Sequence, residues 1–342
     1  MARAAQSDEP ASPAAAGEVT SAAASPEEQR ASRRMWSTRR ARMEAQPLNV
    51  MGVTAEELAA AVEQSNLLPS DGAPGFAPGS APEPGAQAAA ELAFPEEWAA
   101  AAQNPLGPNP AIPFTSFLGN YYTQYWKTQP WRMIGRMSFR TPGSSWCTAA
   151  PIGPNTIVTA AHCVFDTVGN KWYTNMTFCP AYRNGACPYG QFVWTRAWIP
   201  NGYVNAPAFA SAIRYDVAVV EVGSNSTGKG VHQAVGYFGR SWNQGYIQNI
   251  RTVGYPAKYN SGQYTWVCDS TSSKAGTDIM QIGCNSGGGH SGGPWVRSFG
   301  VNNWINNVMS YEQGVGNPNN IMGAARFSSS NIVVLCNAAP GC

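Results

Sequence analysis

The sequence predicts an all-β domain that follows an N-terminal segment of low complexity. From about Phe114 onward, short apolar runs rich in Val, Ile, Trp, Tyr and Phe alternate with clusters of Gly, Asn, Pro and Ser, without long amphipathic helical patterns. Strands of this length and spacing are typical of a barrel or a sandwich. The runs are residues 131–139, 156–160, 192–199, 217–222, 264–268, 279–284, 304–311 and 332–335.

Charge and composition divide the chain near residue 110. Residues 1–110 hold 14 of the 20 acidic residues against seven basic ones, a net charge of −7, whereas the other 232 residues carry +9. The first part also holds 13 of the 26 Pro and only four aromatic residues, too little to offset the entropy of ordering. We therefore expect a mostly disordered pro-segment or linker over 1–110 and a folded domain over 111–342.

Local patterns within residues 1–110 predict little fixed structure. Thr54 followed by Glu57 is a capping box that opens a helix over 55–64, and a second helical turn is expected over 95–102. The Pro- and Gly-rich stretch 69–86 is typical of a disordered linker.

The Arg-rich stretch 30–42 suggests two sharper interpretations. Residues 32–34 resemble the start of a twin-arginine export signal, but charged residues follow where that signal needs an apolar region, so we reject it. A processing site for a basic-specific protease remains an alternative. No apolar stretch follows Met1 either, so we expect no signal peptide within the printed sequence.

Several classes of protein are excluded by composition. No run of about 18 apolar residues occurs, so we expect no transmembrane helix and no membrane partner. The strongest basic cluster lies within 33–42, in the part of the chain least able to fold alone, so we expect no nucleic-acid partner. We also expect no cofactor, and a monomer.

Eight cysteines at or beyond Cys147 predict disulfides and an oxidising, extracellular compartment. Zinc is the competing interpretation, and it is disfavoured because neither a Cys-x2-Cys nor a His-x3-His spacing occurs. Connectivity stays open, since eight cysteines allow many pairings. The natural local pairs are Cys147–Cys163, Cys179–Cys187, Cys268–Cys284 and Cys336–Cys342.

A glycine-rich stretch surrounds Ser291 and carries the strongest chemical signal. Five of the eight residues in 287–294 are Gly, so the backbone can fold tightly around one serine. Consecutive N–H groups of such a turn can point at one spot, which is what an oxyanion hole requires.

A serine hydroxyl needs a histidine base, and the chain offers three. His290 is adjacent to Ser291, and neighbouring side chains usually diverge. His232 lies among Gly and Lys in the context of an ordinary surface histidine. His162 follows a strand and adjoins Cys163, a rigid placement for a base.

The carboxylate that orients this base is a narrow choice, because six acidic residues follow residue 110. Asp216 precedes the apolar run VAVV, which predicts a buried strand, and a carboxylate at its mouth needs a partner such as a histidine N–H. Asp278, before the run IMQI, is the structural alternative.

The stretch 289–293 also matches the Gly-x-Ser-x-Gly nucleophile elbow of α/β-hydrolases, which would indicate an esterase or lipase. That family requires a His after the Ser, and none follows residue 290. The order His162, Asp216, Ser291 fits the chymotrypsin-like arrangement instead.

The segments TAAHC, YDVAVVEV and GGGHSGGPW together resemble the trypsin/chymotrypsin superfamily of serine peptidases. The stretches PWRMIGRMSF, CPAYRNGACPYG and VGYP are similar to its bacterial and fungal V8-like (glutamyl endopeptidase-like) branch. The resemblance covers roughly residues 130–337. It implies two antiparallel six-stranded β-barrels with the catalytic residues in the cleft between them.

The resemblance assigns a role to each catalytic position. Ser291 corresponds to the nucleophile, and His162 corresponds to the general base that later protonates the leaving amine. Asp216 corresponds to the residue that orients the imidazole and stabilises its charged form. The backbone N–H groups of Gly289 and Ser291 correspond to the oxyanion hole.

Further positions follow from the same resemblance. Ser310 and Tyr311 resemble the strand that pairs with the substrate backbone, and Cys147 with Cys163 matches the disulfide that brackets the histidine loop. Asn285 lies near the base of the primary pocket, where trypsins carry Asp, so a preference for Arg or Lys is unsupported. Glu-specific relatives carry a His on the strand VMSY, and this chain has none there.

His290 departs from the trypsin-like pattern. Trypsin-like zymogens carry Asp at this position, and that Asp binds the new N-terminal ammonium after activation. A neutral histidine cannot form that ion pair, and a charged one repels the ammonium. We therefore expect the site not to depend on that switch, and any latency to come from residues 1–110.

The sequence thus predicts a secreted serine endopeptidase that acts on proteins or peptides through a Ser-His-Asp triad and an acyl-enzyme, made as a zymogen with its own pro-segment as a partner. The alternatives are a catalytically silent, protease-like binding protein and an esterase that uses the same triad. The opposite charges of the two parts predict an association that weakens with salt.

Overall fold

The computed structural model describes residues 18–49, 51–60, 72–77, 112–119 and 125–342. The helical turn expected over 95–102 and most of the linker expected over 69–86 lie outside the described residues. Within the described part of the chain, no helix is long and apolar enough to cross a membrane.

Strands dominate the described part of the chain. They are β1 (Val19–Ala23), β2 (Gln46–Pro47), β3 (Met51–Val53), β4 (Phe114–Leu118), β5 (Gly135–Arg140), β6 (Ser144–Pro151), β7 (Thr156–Thr159), β8 (Phe165–Asp166), β9 (Lys171–Trp172), β10 (Thr174–Pro180), β11 (Phe192–Pro200), β12 (Ala218–Val222), β13 (Gly239–Arg240), β14 (Asn249–Gly254), β15 (Trp266–Thr271), β16 (Ser273–Gly276), β17 (Ile279–Gly283), β18 (Pro294–Arg297), β19 (Trp304–Gln313) and β20 (Ile321–Arg326).

Helices are short. The N-terminal segment holds α1 (Pro26–Met35), α2 (Arg39–Glu44) and α3 (Ala55–Ala60). Further helices and single helical turns, of α, 3₁₀ or π type, are Tyr125–Lys127, Trp131–Met133, Ala161–Cys163, Asn201–Val204, Phe209–Ala212, Ile213–Tyr215, Val231–Val235, Asn260–Gly262, Ser329–Val333 and Val334–Ala338.

Six antiparallel strands form a closed first barrel. The ladder runs β11–β10–β5–β6–β7–β12, and β12 pairs with β11 to complete the ring. Strands β7 and β12 are apolar along most of their length because both face a filled interior, where Val158 and Val219 are fully buried. The sequence prediction of an all-β, chymotrypsin-like barrel is confirmed for this half of the domain.

The second sheet is a curled half-barrel rather than a closed six-stranded ring. Its order is β16–β17–β20–β19–β18–β14–β15–β4, and among the described strands no ladder joins the two ends. The end of β17 approaches β4 so closely that a Cβ on Gly283 would lie 2.3 Å from the Ile112 carbonyl oxygen. The disulfide between Cys268 and Cys284 links β15 to the residue after β17.

All eight cysteines are paired in disulfides, and the pairs are the local ones that their spacing favours. They are Cys147–Cys163, Cys179–Cys187, Cys268–Cys284 and Cys336–Cys342.

Part of the N-terminal segment is ordered on the barrel, which its composition did not predict. Strand β1 pairs along five residues of β11, and Trp36 at the end of α1 is fully buried and donates from Nε1 to the Asn175 carbonyl at 2.7 Å. The capping box at Thr54 and Glu57 is present, and helix α3 is described from Ala55 to Ala60. The remainder of the helix expected to residue 64 lies outside the described residues.

Candidate active site

The pairing of β7 with β12 brings His162 and Asp216 together. Thr159 at the end of β7 lies opposite Ala218 at the start of β12. His162 follows Thr159 by three residues in a 3₁₀ turn, and Asp216 precedes Ala218 by two, so both leave the barrel at the same edge. The antiparallel register therefore positions the two side chains.

The Asp216 carboxylate holds the His162 residue at two points. The His162 backbone N–H donates to Oδ1 at 2.9 Å, and the ring Nδ1 lies 2.7 Å from Oδ2. Ser310 donates its hydroxyl to the same Oδ2 at 2.5 Å. With Nδ1–H directed at a carboxylate, the lone pair of Nε2 is free to accept a proton. The Ser310 hydroxyl thus contacts the carboxylate of the candidate triad, which its predicted role in substrate pairing did not include.

Ser291 lies in the turn between β17 and β18, and first-barrel residues fix that turn. The Thr148 N–H donates to the Ser291 carbonyl at 2.8 Å. Gly292 has φ of +76°, and a Cβ there would lie 2.0 Å from Thr159 Oγ1, so only glycine fits. Ser291 Oγ and His162 Nε2 are both buried, and neither has a hydrogen-bond partner among the described residues. The nucleophile and the base predicted from the sequence thus keep their reactive atoms unengaged.

A buried threonine holds the carbonyl of Gly289. Thr148 Oγ1 donates to the Gly289 carbonyl at 2.9 Å and accepts the Tyr255 N–H at 3.0 Å. The Gly289 N–H belongs to the preceding peptide, whose Gly288 carbonyl accepts the Ala257 N–H at 2.8 Å, and this N–H donates to the Leu48 carbonyl at 3.2 Å. Sequence reasoning missed Thr148, because nothing in its local pattern shows which peptide it will contact.

His290 is a buried, neutral residue of the core. Burial lowers its pKa to about 3, and Nε2 lies 3.1 Å from Thr252 Oγ1. A Cβ on Gly254 or on Gly293 would collide with the His290 ring, which shows how tightly the ring is enclosed. A neutral side chain here cannot form the activating ion pair of trypsin-like zymogens.

The rejected candidates have structural partners. His232 Nδ1 lies 2.8 Å from the Pro154 carbonyl oxygen. Asp278 accepts from Arg326 at 2.6 Å and lies 3.5 Å from Arg214, so two guanidinium groups compensate its charge. Neither residue contributes to the candidate triad.

The residues expected to determine specificity differ in their contacts and in their burial. Asn285 Oδ1 accepts the Trp266 indole N–H at 2.9 Å, so its side chain is already engaged. Tyr311 is fully buried, and its ring lies against Gly323. Glu312, which the sequence did not single out, follows Tyr311 on β19. Burial raises the pKa of Glu312, while the Gly316 N–H and the Lys258 charge oppose that shift.

A group of three possible metal ligands lies beside the triad. Sulfur atoms of Cys147 and Cys163 and a ring nitrogen of His162 lie within 4.8 Å of one another. The two sulfurs form a disulfide, so neither is a thiolate ligand. The donor set in this structure does not fit a metal.

The closed barrel and the curled half-barrel form a chymotrypsin-like fold. Residues 143–301 match the model of the trypsin-like peptidase domain family. The match spans less than half of the chain, and over these residues the chain is similar to trypsin-like serine peptidases.

Individual proteases are similar to this chain over part of its length. Glutamyl endopeptidase from Bacillus licheniformis is 29% identical over 167 residues, which are 48% of this chain and 48% of that protein. The chain thus spans about half the length of this curated relative. The protease Anisep from Arthrobacter nicotinovorans is 27% identical, with a TM-score of 0.54 over 62% of this chain and 96% of that one. A thermostable serine protease, AL20, from an extremophilic microorganism is 28% identical, with a TM-score of 0.52 over 61% and 97%.

Proposed function

We propose that the chain is a serine endopeptidase that hydrolyses peptide bonds of proteins or peptides through an acyl-enzyme. The observations that carry the proposal are the His162–Asp216 contact at 2.7 Å and a buried Ser291 hydroxyl that no described residue engages. The class of the relatives supports it, since their names describe proteases.

In the proposed reaction, Ser291 Oγ attacks the scissile carbonyl carbon and its proton passes to His162 Nε2. The negative oxygen that develops is stabilised by the N–H groups of Gly289 and Ser291. Collapse of this intermediate breaks the C–N bond, and the departing amine takes the proton from Nε2. Water then repeats the sequence on the acyl-enzyme and releases Ser291. Asp216 keeps the imidazole oriented and balances its charge.

We propose that the primary pocket includes Asn285 and that Ser310 and Tyr311 belong to the strand beside the substrate backbone. The name of the Bacillus licheniformis relative refers to glutamyl bonds. This chain has no histidine on β19. Lys258 Nζ donates to the Asn285 carbonyl at 3.3 Å, and its positive charge also acts on the Glu312 carboxylate. We therefore assign neither an acidic nor a basic preference to the pocket.

We infer that the enzyme acts outside the cell as a monomer and that residues 1–110 form a removable pro-segment of domain 111–342. Four disulfides favour an oxidising compartment. Sequencing the N-terminus of the secreted form and measuring its mass in solution test both points.

The proposed activity is tested by labelling the matured protein with a fluorophosphonate dye and by casein hydrolysis. Ser291→Ala should abolish both signals and leave the far-ultraviolet circular dichroism unchanged. A matured protein that is folded but takes up no dye would indicate a silent, protease-like binding protein. Hydrolysis of a p-nitrophenyl ester without hydrolysis of casein would indicate an esterase.

A further inference from the structure

A short piece of the N-terminal segment crosses the candidate active site. We call residues 46–49 and 51–53 the cleft strand. Gln46 and Pro47 pair with β6 at Ser145 and Trp146, and the Leu48 N–H donates to the Trp146 carbonyl at 3.0 Å. Further along, residues 51–53 pair with β19 at residues 311–313. The cleft strand therefore bridges the two halves of the domain at the catalytic residues.

The Leu48 carbonyl occupies the place of a reacting oxygen. It accepts the Gly289 N–H at 3.2 Å, and this N–H is one of the two proposed oxyanion donors. Gly288 lies alongside, since a Cβ on it would be 3.1 Å from the same Leu48 oxygen. While Leu48 stays there, no substrate carbonyl can reach that donor.

The direction of the cleft strand is opposite to that of a substrate. The expected pocket residue Asn285 and the expected pairing strand β19 belong to the acyl part of a substrate, which precedes the scissile bond. A substrate therefore runs from β19 towards β6. The cleft strand meets β6 first and β19 last, and its pairing with each strand is parallel.

The reversed direction of the cleft strand explains how a peptide lies at Gly289 without being cleaved. With Leu48 oxygen at the oxyanion donor, the amide nitrogen of Asn49 extends towards β19. That is the acyl side of the cleft, whereas a cleavable bond places its nitrogen on the leaving-group side, where His162 protonates it. The Leu48–Asn49 bond is thus presented in the wrong sense for collapse to an acyl-enzyme.

The cleft strand is held from both ends. Before it, the Arg42 carbonyl accepts from Arg136 Nη2 at 2.9 Å, and that guanidinium lies between the Trp146 and Tyr182 rings. Burial lowers the pKa of Arg136 to about 10. After it, Val53 and Leu58 are buried in one cluster with Ile213, Ile279 and Tyr311.

We propose, resting on the proposed function, that the cleft strand is an intramolecular inhibitor which fills the oxyanion hole in the reverse direction and escapes cleavage. It keeps the full chain latent until the pro-segment is removed. Occupation of the cleft by this strand takes the place of the trypsin-like switch, in which the new N-terminal ammonium binds an Asp at the position of His290.

Gly52 offers a test that leaves the catalytic domain unaltered. A Cβ on Gly52 would lie 3.1 to 3.3 Å from Val315 atoms, two of them backbone atoms, so Gly52→Val should push the cleft strand off β19. Glu56→Gln, at an exposed position of α3, is the matched control. In the intact full chain, we expect Gly52→Val to speed fluorophosphonate labelling at least tenfold and Glu56→Gln to leave it unchanged.

Hydrogen exchange of the Gly289 amide measures whether the cleft strand occupies the oxyanion hole, and it does not depend on catalysis. In the full chain carrying Ser291→Ala, the Gly289 amide should exchange slowly, and Gly52→Val should release it at least tenfold. Equally fast exchange in both chains would overturn the proposal. A different result is release of the Gly289 amide by Gly52→Val although no chain that contains Ser291 takes up the dye. That result would reject the proposed function, but the conclusion that the cleft strand occupies the oxyanion hole would stand.

The direction is tested by mass spectrometry of the active chain during maturation. We expect residues 46–53 to remain uncut in the released segment. A new N-terminus at Asn49 would show that Leu48 lies in the substrate direction and would overturn the proposal. A synthetic peptide of residues 36–60 should inhibit the matured enzyme without being hydrolysed, and its Gly52→Val form should inhibit at least tenfold less.

Discussion

At the scale of single residues, Thr148 holds the carbonyl of Gly289 and so restrains the residue whose N–H is a proposed oxyanion donor. Thr148→Val keeps the shape but leaves the Gly289 carbonyl and the Tyr255 N–H without their buried partner. We expect kcat of the matured enzyme to fall by about 10² and stability by roughly 1–3 kcal/mol. Thr148→Ser retains the hydroxyl and should lose less than a tenth as much activity. Equal losses in both variants would show that the methyl group, not the hydroxyl, matters.

His290 makes stability depend on pH. The unfolded chain binds a proton on this ring below its ordinary pKa of 6.5, but the folded chain does so only near 3. Protonation therefore favours the unfolded state as pH falls from 6.5 towards 3, and the stability is fully present above 6.5. The slope from this group approaches about 1.4 kcal/mol per pH unit.

Urea unfolding in the Ser291→Ala background measures this slope. We expect His290→Gln to be less stable at pH 8, because its cavity is imperfectly filled, but to lose less free energy of unfolding between pH 6.5 and 4. If the two chains lose stability in parallel over that range, His290 is not the group that titrates.

The sequence leads to one candidate triad because few residues of the required types exist. Three His and six acidic residues follow residue 110, and a buried strand adjoins one of each. The partners of those residues could not be predicted. Ser310 reaches Asp216, and Thr148 reaches Gly289, only because distant strands become neighbours. The sequence around a Ser or Thr does not indicate which distant residue its hydroxyl group will contact.

At the scale of elements, the docking of β1 and α1 shows where composition misleads. Residues 1–110 cannot bury enough apolar surface alone, which is what composition measures. Trp36 is nevertheless fully buried, because the barrel and the Asn175 carbonyl provide its surroundings. Strand β1 likewise has a partner only in β11. The length and type of β7 and β12, by contrast, follow from their own apolar runs.

Trp36→Ala should detach this part of the segment. Loss of a buried tryptophan costs about 3–5 kcal/mol where the cavity cannot collapse. In the Ser291→Ala full chain, we expect the amides of β1 to exchange at least a hundredfold faster, while those of β12 keep their protection. Arg30→Gln, at an exposed position of α1, is the control and should change neither strand. Unchanged exchange in β1 would show that Trp36 is not the anchor.

At the scale of the whole molecule, the charges that oppose each other in the sequence are not those that meet in the fold. Residues 18–60 hold six acidic and six basic side chains, so the docked part is neutral and the acid excess lies elsewhere in 1–110. Ion pairs between described residues join partners within the segment or within the domain. Across the contact, Arg39 and Arg42 donate to backbone carbonyls instead.

Docking should therefore depend only weakly on salt, although the net charges of the two parts suggested otherwise. Charge screening weakens contacts between exposed, opposite charges, whereas buried apolar contacts and backbone ladders persist. We expect the labelling rate of Ser291 in the intact full chain to change less than threefold between 0.05 and 0.5 M NaCl. The matured enzyme, measured in parallel, corrects for any effect of salt on the probe reaction itself. If salt raised the labelling rate tenfold or more, the segment would instead be held on the domain by charge. The attraction would then come from the acid-rich remainder of residues 1–110, acting on the basic domain from a distance.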